Sequence, residues 1–389
     1  MTIVNRRRFI ELGALGSALG AGRPEFAFAS QSTRSTGEAD DRRVFLTGDG
    51  LSLTPAQYTR LLTRLVDERG IAPDNYVLGG LVDELELQFA RVLGKERAVF
   101  MPTGTLANQL AVRVLAGGSS RAVVQAESHL YMDSGDCVQT LSNITLMPLA
   151  PGRATFTADE LARLLDETHG GRVVKRVAAI QIETPVRRKQ GEVFNPRDMA
   201  AVVAVAKREG IKLHLDGARL FLEAGYSGMR ITEYTAPFDT VYVSLYKYFN
   251  AAAGAILAGP HALLDDIHHA RRMYGGGLNQ AWPYAAVALH YLDGFQERFA
   301  RAIKVSEDFI RALKRVDGVA VEPVPSGTNL FRLRVLRTNA ATLRTRLGTR
   351  GIVLANPSAE GTFLVGVNES WNRTTGAELA DAVTREMRA

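Results

Sequence analysis

Lys247 lies in the run Val243-Ser244-Leu245-Tyr246-Lys247-Tyr248 and is followed by Ala251-Ala252-Ala253-Gly254. A lysine in apolar company is desolvated. That favours its neutral amine and suits it to Schiff-base chemistry, although a strand-end lysine reaching for solvent has the same pattern. Asp216 closes the apolar stretch Ile211-Lys212-Leu213-His214-Leu215, and Gly217 permits a sharp exit toward Ala218-Arg219. A carboxylate there can hold a charged ligand or cap a helix. Glu127-Ser128-His129 follows Ala122-Val123-Val124. Its imidazole could stack on a flat ligand, act as a base, or serve as a capping or core histidine. Thr103-Gly104-Thr105 follows Ala98-Val99-Phe100-Met101 and opens a helix. Small residues, hydroxyls and a helix N-terminus make either an anion cradle or an ordinary capped turn.

All four places follow predicted strands. Strands are expected at 98–101, 122–124, 177–182, 211–215, 240–243 and 255–257. Helices are expected at about 106–115, at 160–165 and after Asn195-Pro196. Alternating βα units argue for a mostly parallel sheet covered on both faces. Ligands of such sheets sit beyond the carboxyl ends of the strands. Ahead of these units, Thr54-Pro55 reads as the N-cap and first position of a helix that Gly70 closes, and Val82, Leu85, Phe89 and Val92 keep helical spacing. Beyond about Val287 the pattern becomes a long amphipathic helix (299–313), strands at 319–321, 330–335 and 363–367, and a helix near Leu343. That suits a smaller α+β domain.

An anion cradle, a flat stacking group, a carboxylate and an apolar lysine, all at strand ends, are together the requirements of pyridoxal phosphate. The phosphate needs the cradle, the aldehyde needs the lysine, and the pyridine nitrogen needs the carboxylate. The composition is that of a globular chain, not of a disordered, collagenous or coiled-coil one. The chain has 389 residues, 46% hydrophobic and 23% charged, with 47 basic and 41 acidic side chains giving +6. At roughly 100–200 residues per domain, two domains are expected. The basic residues are scattered and lack interleaved aromatics, so no nucleic-acid partner is expected. The single Cys137 excludes an internal disulfide framework and a cysteine-rich metal site.

The chain resembles the β-eliminating lyase/threonine aldolase group of fold-type-I pyridoxal phosphate enzymes. The stretches that carry the likeness are Phe100-Met101-Pro102-Thr103-Gly104-Thr105-Leu106-Ala107-Asn108, His214-Leu215-Asp216-Gly217-Ala218-Arg219-Leu220-Phe221, Val243-Ser244-Leu245-Tyr246-Lys247 and Tyr274-Gly275-Gly276-Gly277. The resemblance implies a large α/β cofactor domain (51–287) with a mostly parallel central sheet, and a small α+β C-terminal domain (288–389). It implies that Lys247 carries the cofactor and shuttles protons, and that Asp216 bonds the ring nitrogen. His129 would stack on the ring and serve as base. Thr103, Gly104, Thr105 and Ser244 would hold the phosphate. Arg219 would fix Asp216 or the substrate carboxylate. The Gly275–Gly277 loop would approach a neighbouring subunit, which implies a homodimer or homotetramer.

The substrate side departs from that pattern. The family's Thr-His-Asn-Gly stretch is replaced by Glu183-Thr184-Pro185-Val186-Arg187-Arg188-Lys189-Gln190-Gly191, and the C-terminal stretch 356–362 lacks an arginine for the substrate carboxylate. Arg187 is the expected substitute anchor, and Tyr76 is expected to line the pocket. The implied activity is cleavage of a β-hydroxy-α-amino acid to glycine and an aldehyde. β-Elimination, transaldolation, racemisation, transamination and non-catalytic binding of pyridoxal phosphate are the alternatives.

Residues 1–29 read as an address. Asn5-Arg6-Arg7-Arg8-Phe9-Ile10 precedes an apolar run to Gly22, then Ala27-Phe28-Ala29 gives a small-x-small cleavage pattern. This resembles a twin-arginine export signal, which implies a periplasmic or secreted protein without stable membrane insertion. Residues 30–50 are expected to be a leader. His261, Asp265, His268 and His269 fall near helical spacing and are read as a solvated face, so no metal is expected.

Overall fold

Seven short strands form the central sheet. After a two-residue strand β1 (Val44–Phe45), these are β2 (Arg97–Met101), β3 (Arg121–Gln125), β4 (Thr145–Leu149), β5 (Val177–Glu183), β6 (Lys212–Asp216), β7 (Thr240–Ser244) and β8 (Ala255–Gly259). This computed structural model describes residues 42–170, 172–173 and 175–388, and the signal assigned to 1–29 lies outside them. The order across the sheet is β2-β8-β7-β6-β5-β3-β4. The pairs β4·β3, β3·β5, β5·β6 and β6·β7 are parallel, while β8 is antiparallel to both neighbours. Only β8 is reversed, so the carboxyl ends of the other six share one edge of the sheet. The strands read as apolar runs because both faces are covered. β4 escaped the sequence reading, since it is a half-exposed edge strand carrying Pro148.

Helix ends follow their caps. Thr54 and Gln57 form a reciprocal capping box at the start of Pro55–Arg69, and Gly70 ends it with φ 59°. The helix expected at 106–115 spans Gly104–Ala116, because the Thr103 hydroxyl caps Leu106 N–H. This helix lies against β5, β6, β7 and β8.

A second sheet holds β9 (Val319–Pro323), β10 (Leu330–Val335) and β12 (Thr362–Gly366), antiparallel in the order β12-β10-β9. The helix Phe295–Leu313 joins it to the first sheet. Phe295 and Phe299 enter a buried aromatic cluster with Phe221, Tyr248 and Phe249, at centroid separations of 4.6–6.0 Å. Tyr248 and Phe249 directly follow Lys247, so this cluster anchors the lysine's loop in the core.

The expected leader ends earlier than residue 50. β1 pairs in parallel with β11 (Ile352–Val353), Leu46 is fully buried, and Asn368 Nδ2 donates to the carbonyls of Phe45, Thr47 and Gly48. Val44, Phe45 and Leu46 are an apolar run, and burying them draws this end of the chain into the fold. Among the described residues no helix is long and apolar enough to cross a membrane.

Candidate active site

The shared strand edge gathers Thr103, Gly104, His129, Asp216, Ser244 and Lys247. Asp216 ends β6 and is 1% exposed. Asn108, from the Gly104–Ala116 helix, donates Nδ2–H to Asp216 Oδ2 at 2.7 Å, and Ala218 N–H donates to Oδ1 at 3.2 Å. Behind them His214 Nε2 is 2.8 Å from Asn108 Oδ1, and His214 Nδ1 is 2.8 Å from Thr240 Oγ1. If the Asn108 amide donates to Asp216, its oxygen accepts from His214 Nε2–H, and His214 Nδ1 accepts from Thr240. Burial depresses His214 to about 3, so this chain carries no charge of its own. Burial raises Asp216, opposed by the nearby His129 and Lys247.

Lys247 follows β7. Its Nζ lies 3.3 Å from Tyr246 Oη and 4.5 Å from that ring's centroid. Burial lowers its pKa first and the Arg219 charge lowers it further, with Tyr246, Asp49 and Asp216 opposing. The result is an amine biased toward its nucleophilic form. Gly50 runs directly beneath: a Cβ there would sit 2.3 Å from the Lys247 carbonyl oxygen and 2.5 Å from Asn250 Oδ1. Only glycine permits that approach.

Arg219 does not reach Asp216. Its Nε and Nη2 meet Asp49 Oδ1 and Oδ2 at 3.2 and 2.8 Å, with both side chains 15% exposed. The expectation that Arg219 fixes Asp216 is therefore corrected. A two-pronged fork prefers a free carboxylate, and Asp49 brings one.

The Thr103–Thr105 turn opens the Gly104–Ala116 helix at this same edge. Thr103 spends its oxygen on Leu106 N–H, leaving Gly104 and Thr105 N–H without intrahelical acceptors. A Cβ on Gly104 would lie 2.1 Å from Tyr242 Oη. Ser244 shares this edge, since Met101 and Ser244 both face Ala255 across the ladder. The Ser244 hydroxyl is buried and makes no hydrogen bond of ordinary geometry, with the Tyr242 phenol as a polar neighbour. An orphaned buried donor beside a helix N-terminus fits a phosphate.

His129 opens a four-residue helix that Ser128 caps. Its N–H donates to Glu183 Oε2 at 2.5 Å, and its Nδ1 faces Asp133 Oδ2 at 3.4 Å. Glu183 ends β5, opposite Asp216 in the parallel ladder, and also accepts Arg187 N–H at 2.9 Å. Burial and the Asp216 charge push Glu183 up to about 7. Arg187 shares the site through Asp133, which its guanidinium meets. Tyr76 stands apart from this cluster. It is 44% exposed, lies under Arg272 at 4.8 Å, and is held through its N–H by Asn279 O at 2.9 Å. Asp265 and His268, read as a solvated face, both engage Arg97, at 3.3 and 2.8 Å.

Residues 74–335 match the family model described as beta-eliminating lyase. The chain belongs to the beta-eliminating lyase family.

Members compared with it sharpen that placement. The low-specificity L-threonine aldolase 1 of Arabidopsis thaliana is 26% identical over 279 residues, covering 69% of this chain and 77% of the relative. A Listeria monocytogenes structure assigned as an L-allo-threonine aldolase superposes with TM-score 0.73 at 26% identity, covering 90% of this chain and 97% of that one. The alanine racemase TOXG of Cochliobolus carbonum is 27% identical over 208 residues, 52% of each chain. Like its family, the chain is a pyridoxal phosphate-dependent lyase. The residues present fit the cofactor: Lys247 for its aldehyde, Asp216 for its ring nitrogen, and the Gly104–Thr105 turn with Ser244 for its phosphate.

Proposed function

We propose that this lyase cleaves the Cα–Cβ bond of a β-hydroxy-α-amino acid, giving glycine and an aldehyde, and so acts as a low-specificity threonine aldolase. Pyridoxal phosphate, when bound, supplies the electron sink that makes bonds at Cα breakable. The protein's part is positioning and proton transfer. Lys247 holds the cofactor and moves a proton at Nζ. Asp216, supported by Asn108, keeps the ring nitrogen protonated. His129 would stack on the cofactor ring and would take the β-hydroxyl proton at Nε2, because its Nδ1 is turned to Asp133. Arg187 holds the substrate carboxylate in place of the arginine that the C-terminal stretch lacks. The observation that carries this reading is the imidazole oriented by a carboxylate at the same sheet edge as Asp216 and Lys247.

The Cochliobolus relative favours racemisation as a second reading. The two separate in one experiment. Purified protein is loaded with pyridoxal phosphate and given L-threonine, L-allo-threonine and L-alanine. Glycine with acetaldehyde supports the aldolase, and D-alanine supports the racemase. Neither product, with a visible cofactor band that Lys247→Ala abolishes, leaves a cofactor-binding protein without either activity.

The same reading includes a homodimer or homotetramer, supported by the exposed Tyr76, Leu78 and Met273 near the Gly275–Gly277 loop, which sedimentation tests. It also includes twin-arginine export of the folded, cofactor-loaded chain. Fractionation of cells expressing the chain with Arg6 and Arg7 replaced by lysine tests that address.

A further inference from the structure

His129 and Arg187 open two different short helical turns, yet the same two carboxylates grip both. Glu183 takes their main chains: His129 N–H at 2.5 Å on Oε2 and Arg187 N–H at 2.9 Å on Oε1. Asp133 takes their side chains: His129 Nδ1 at 3.4 Å from Oδ2, with the Arg187 guanidinium on that same oxygen. Arg188 adds a contact to Asp133 Oδ1 at 3.3 Å and one to Glu127 Oε2 at 3.6 Å. Glu183 is itself mounted rigidly. Its N–H donates to Gln125 Oε1 at 2.6 Å, and its carbonyl accepts from Gln125 Nε2 at 3.0 Å. Ser134 Oγ also donates to the His129 carbonyl at 3.1 Å.

We propose that Asp133 and Glu183 are positioning residues that lock His129 and Arg187 into one unit, Asp133 through the side chains and Glu183 through the main chains. The inference rests on the reading of His129 as the stacking base and Arg187 as the carboxylate anchor. Arg187 bonds Asp133 through Nη2, so the rest of its five-donor fork remains for a ligand. Burial works against the Asp133 charge, but Arg187, His129 and Arg188 outweigh it, so both side chains are held by an ionised carboxylate. Glu183 has two oxygens and two N–H donors to satisfy. An amide in its place can accept only one of them, and the other is left unpaired.

A double-mutant cycle on the cofactor-loaded enzyme tests this, read by visible circular dichroism of the cofactor and by the glycine Kd from spectral titration. Arg187→Ala is expected to raise the glycine Kd about tenfold or more, the usual scale for a lost charge-assisted bond. Asp133→Asn should raise it about fivefold in the parent and less than about twofold in the Arg187→Ala background, since it acts through Arg187. Both Asp133→Asn and Glu183→Gln should change the cofactor's dichroic band by shifting His129. Additive effects on Kd, or an unchanged band in both variants, would overturn the proposal. An unchanged Kd in Arg187→Ala would instead sink the anchor reading. The clamp is then decided by the band alone, where a change in both variants supports it and no change overturns it.

Discussion

Asn108 and Asp216 stand 108 positions apart in sequence and are joined by a 2.7 Å hydrogen bond at the centre of the site. With the Ala218 N–H on the other oxygen, the bond fixes how the Asp216 carboxylate is turned toward a ligand. Its support, the His214–Thr240 chain, is buried and uncharged, so it does not change as pH passes through the physiological range. A bond to an ionised group is worth about 1.5–3 kcal/mol, and Asn108→Ala should therefore weaken pyridoxal phosphate binding by roughly tenfold to a hundredfold. Equilibrium dialysis of the cofactor measures it. Undiminished affinity would show that Asp216 needs no such orientation.

The Arg219–Asp49 pair makes a different demand. Both side chains are 15% exposed, so removing one leaves a poorly solvated charge. Asp49→Ala is expected to cost about 3–5 kcal/mol in urea unfolding, and the double variant Asp49→Ala/Arg219→Met much less. The Lys247 amine should respond as well. Arg219 already lowers its pKa while Asp49 raises it, so loss of Asp49 lowers it further. Cofactor uptake by the apoenzyme should then persist to lower pH in Asp49→Asn. An unshifted pH profile would detach Asp49 from the lysine.

These two pairs mark what was legible in the sequence and what was not. Lys247, Asp216, His129 and Gly104 each end or follow an apolar strand, so their common edge follows from the βα alternation alone. Asp49 lies 170 positions from Arg219, within the 30–50 segment expected to be a leader. Only the burial of Val44, Phe45 and Leu46 beside it gave a local hint. Glu183 was visible as a strand end, but its two N–H partners depend on how two loops fold back. Asp133 sits four residues after His129, and that spacing was the available signal for an oriented imidazole. The single reversed strand β8 was also hidden, since a buried apolar run reads alike in either direction.

Gly104 tests the cradle sterically. An alanine Cβ would meet Tyr242 Oη at 2.1 Å and Cζ at 2.5 Å. The phenol cannot yield easily, because Tyr242 is 2% exposed in the middle of the sheet. Gly104→Ala should cost about 1–3 kcal/mol of stability and open the phosphate turn, lowering cofactor affinity. Tyr242→Leu in the same chain should restore part of both, and Tyr242→Phe less, since the Cζ contact remains. No recovery in either would place the fault in the helix start itself and not in the contact.

Glu86 gives a prediction about pH and stability. Its Oε1 accepts Phe100 N–H at 2.7 Å, at the strand that leads into the phosphate turn. Burial pushes its pKa up from 4.5 to about 7, against the Phe100 bond and the Arg271 charge. The folded state therefore keeps a proton that the unfolded chain has released between those values. Its stabilising share is complete below about pH 4.5, declines as pH rises through that window, and is gone above about 7. Glu183 and Glu223, also raised to about 7 by burial, act with the same sign. His214, depressed to about 3, and His268, to about 4, act with the opposite sign up to about 6.5, so the readout is the difference between variants: from pH 5 to 8 Glu86→Gln should lose less Tm, or gain more, than the parent, because the amide keeps the Phe100 bond without titrating. Calorimetry at matched ionic strength compares the two slopes. Identical slopes would mean that Glu86 is already charged at pH 5, and that Arg271, whose Nη1 holds the Phe100 carbonyl at 2.7 Å, has overcome its burial.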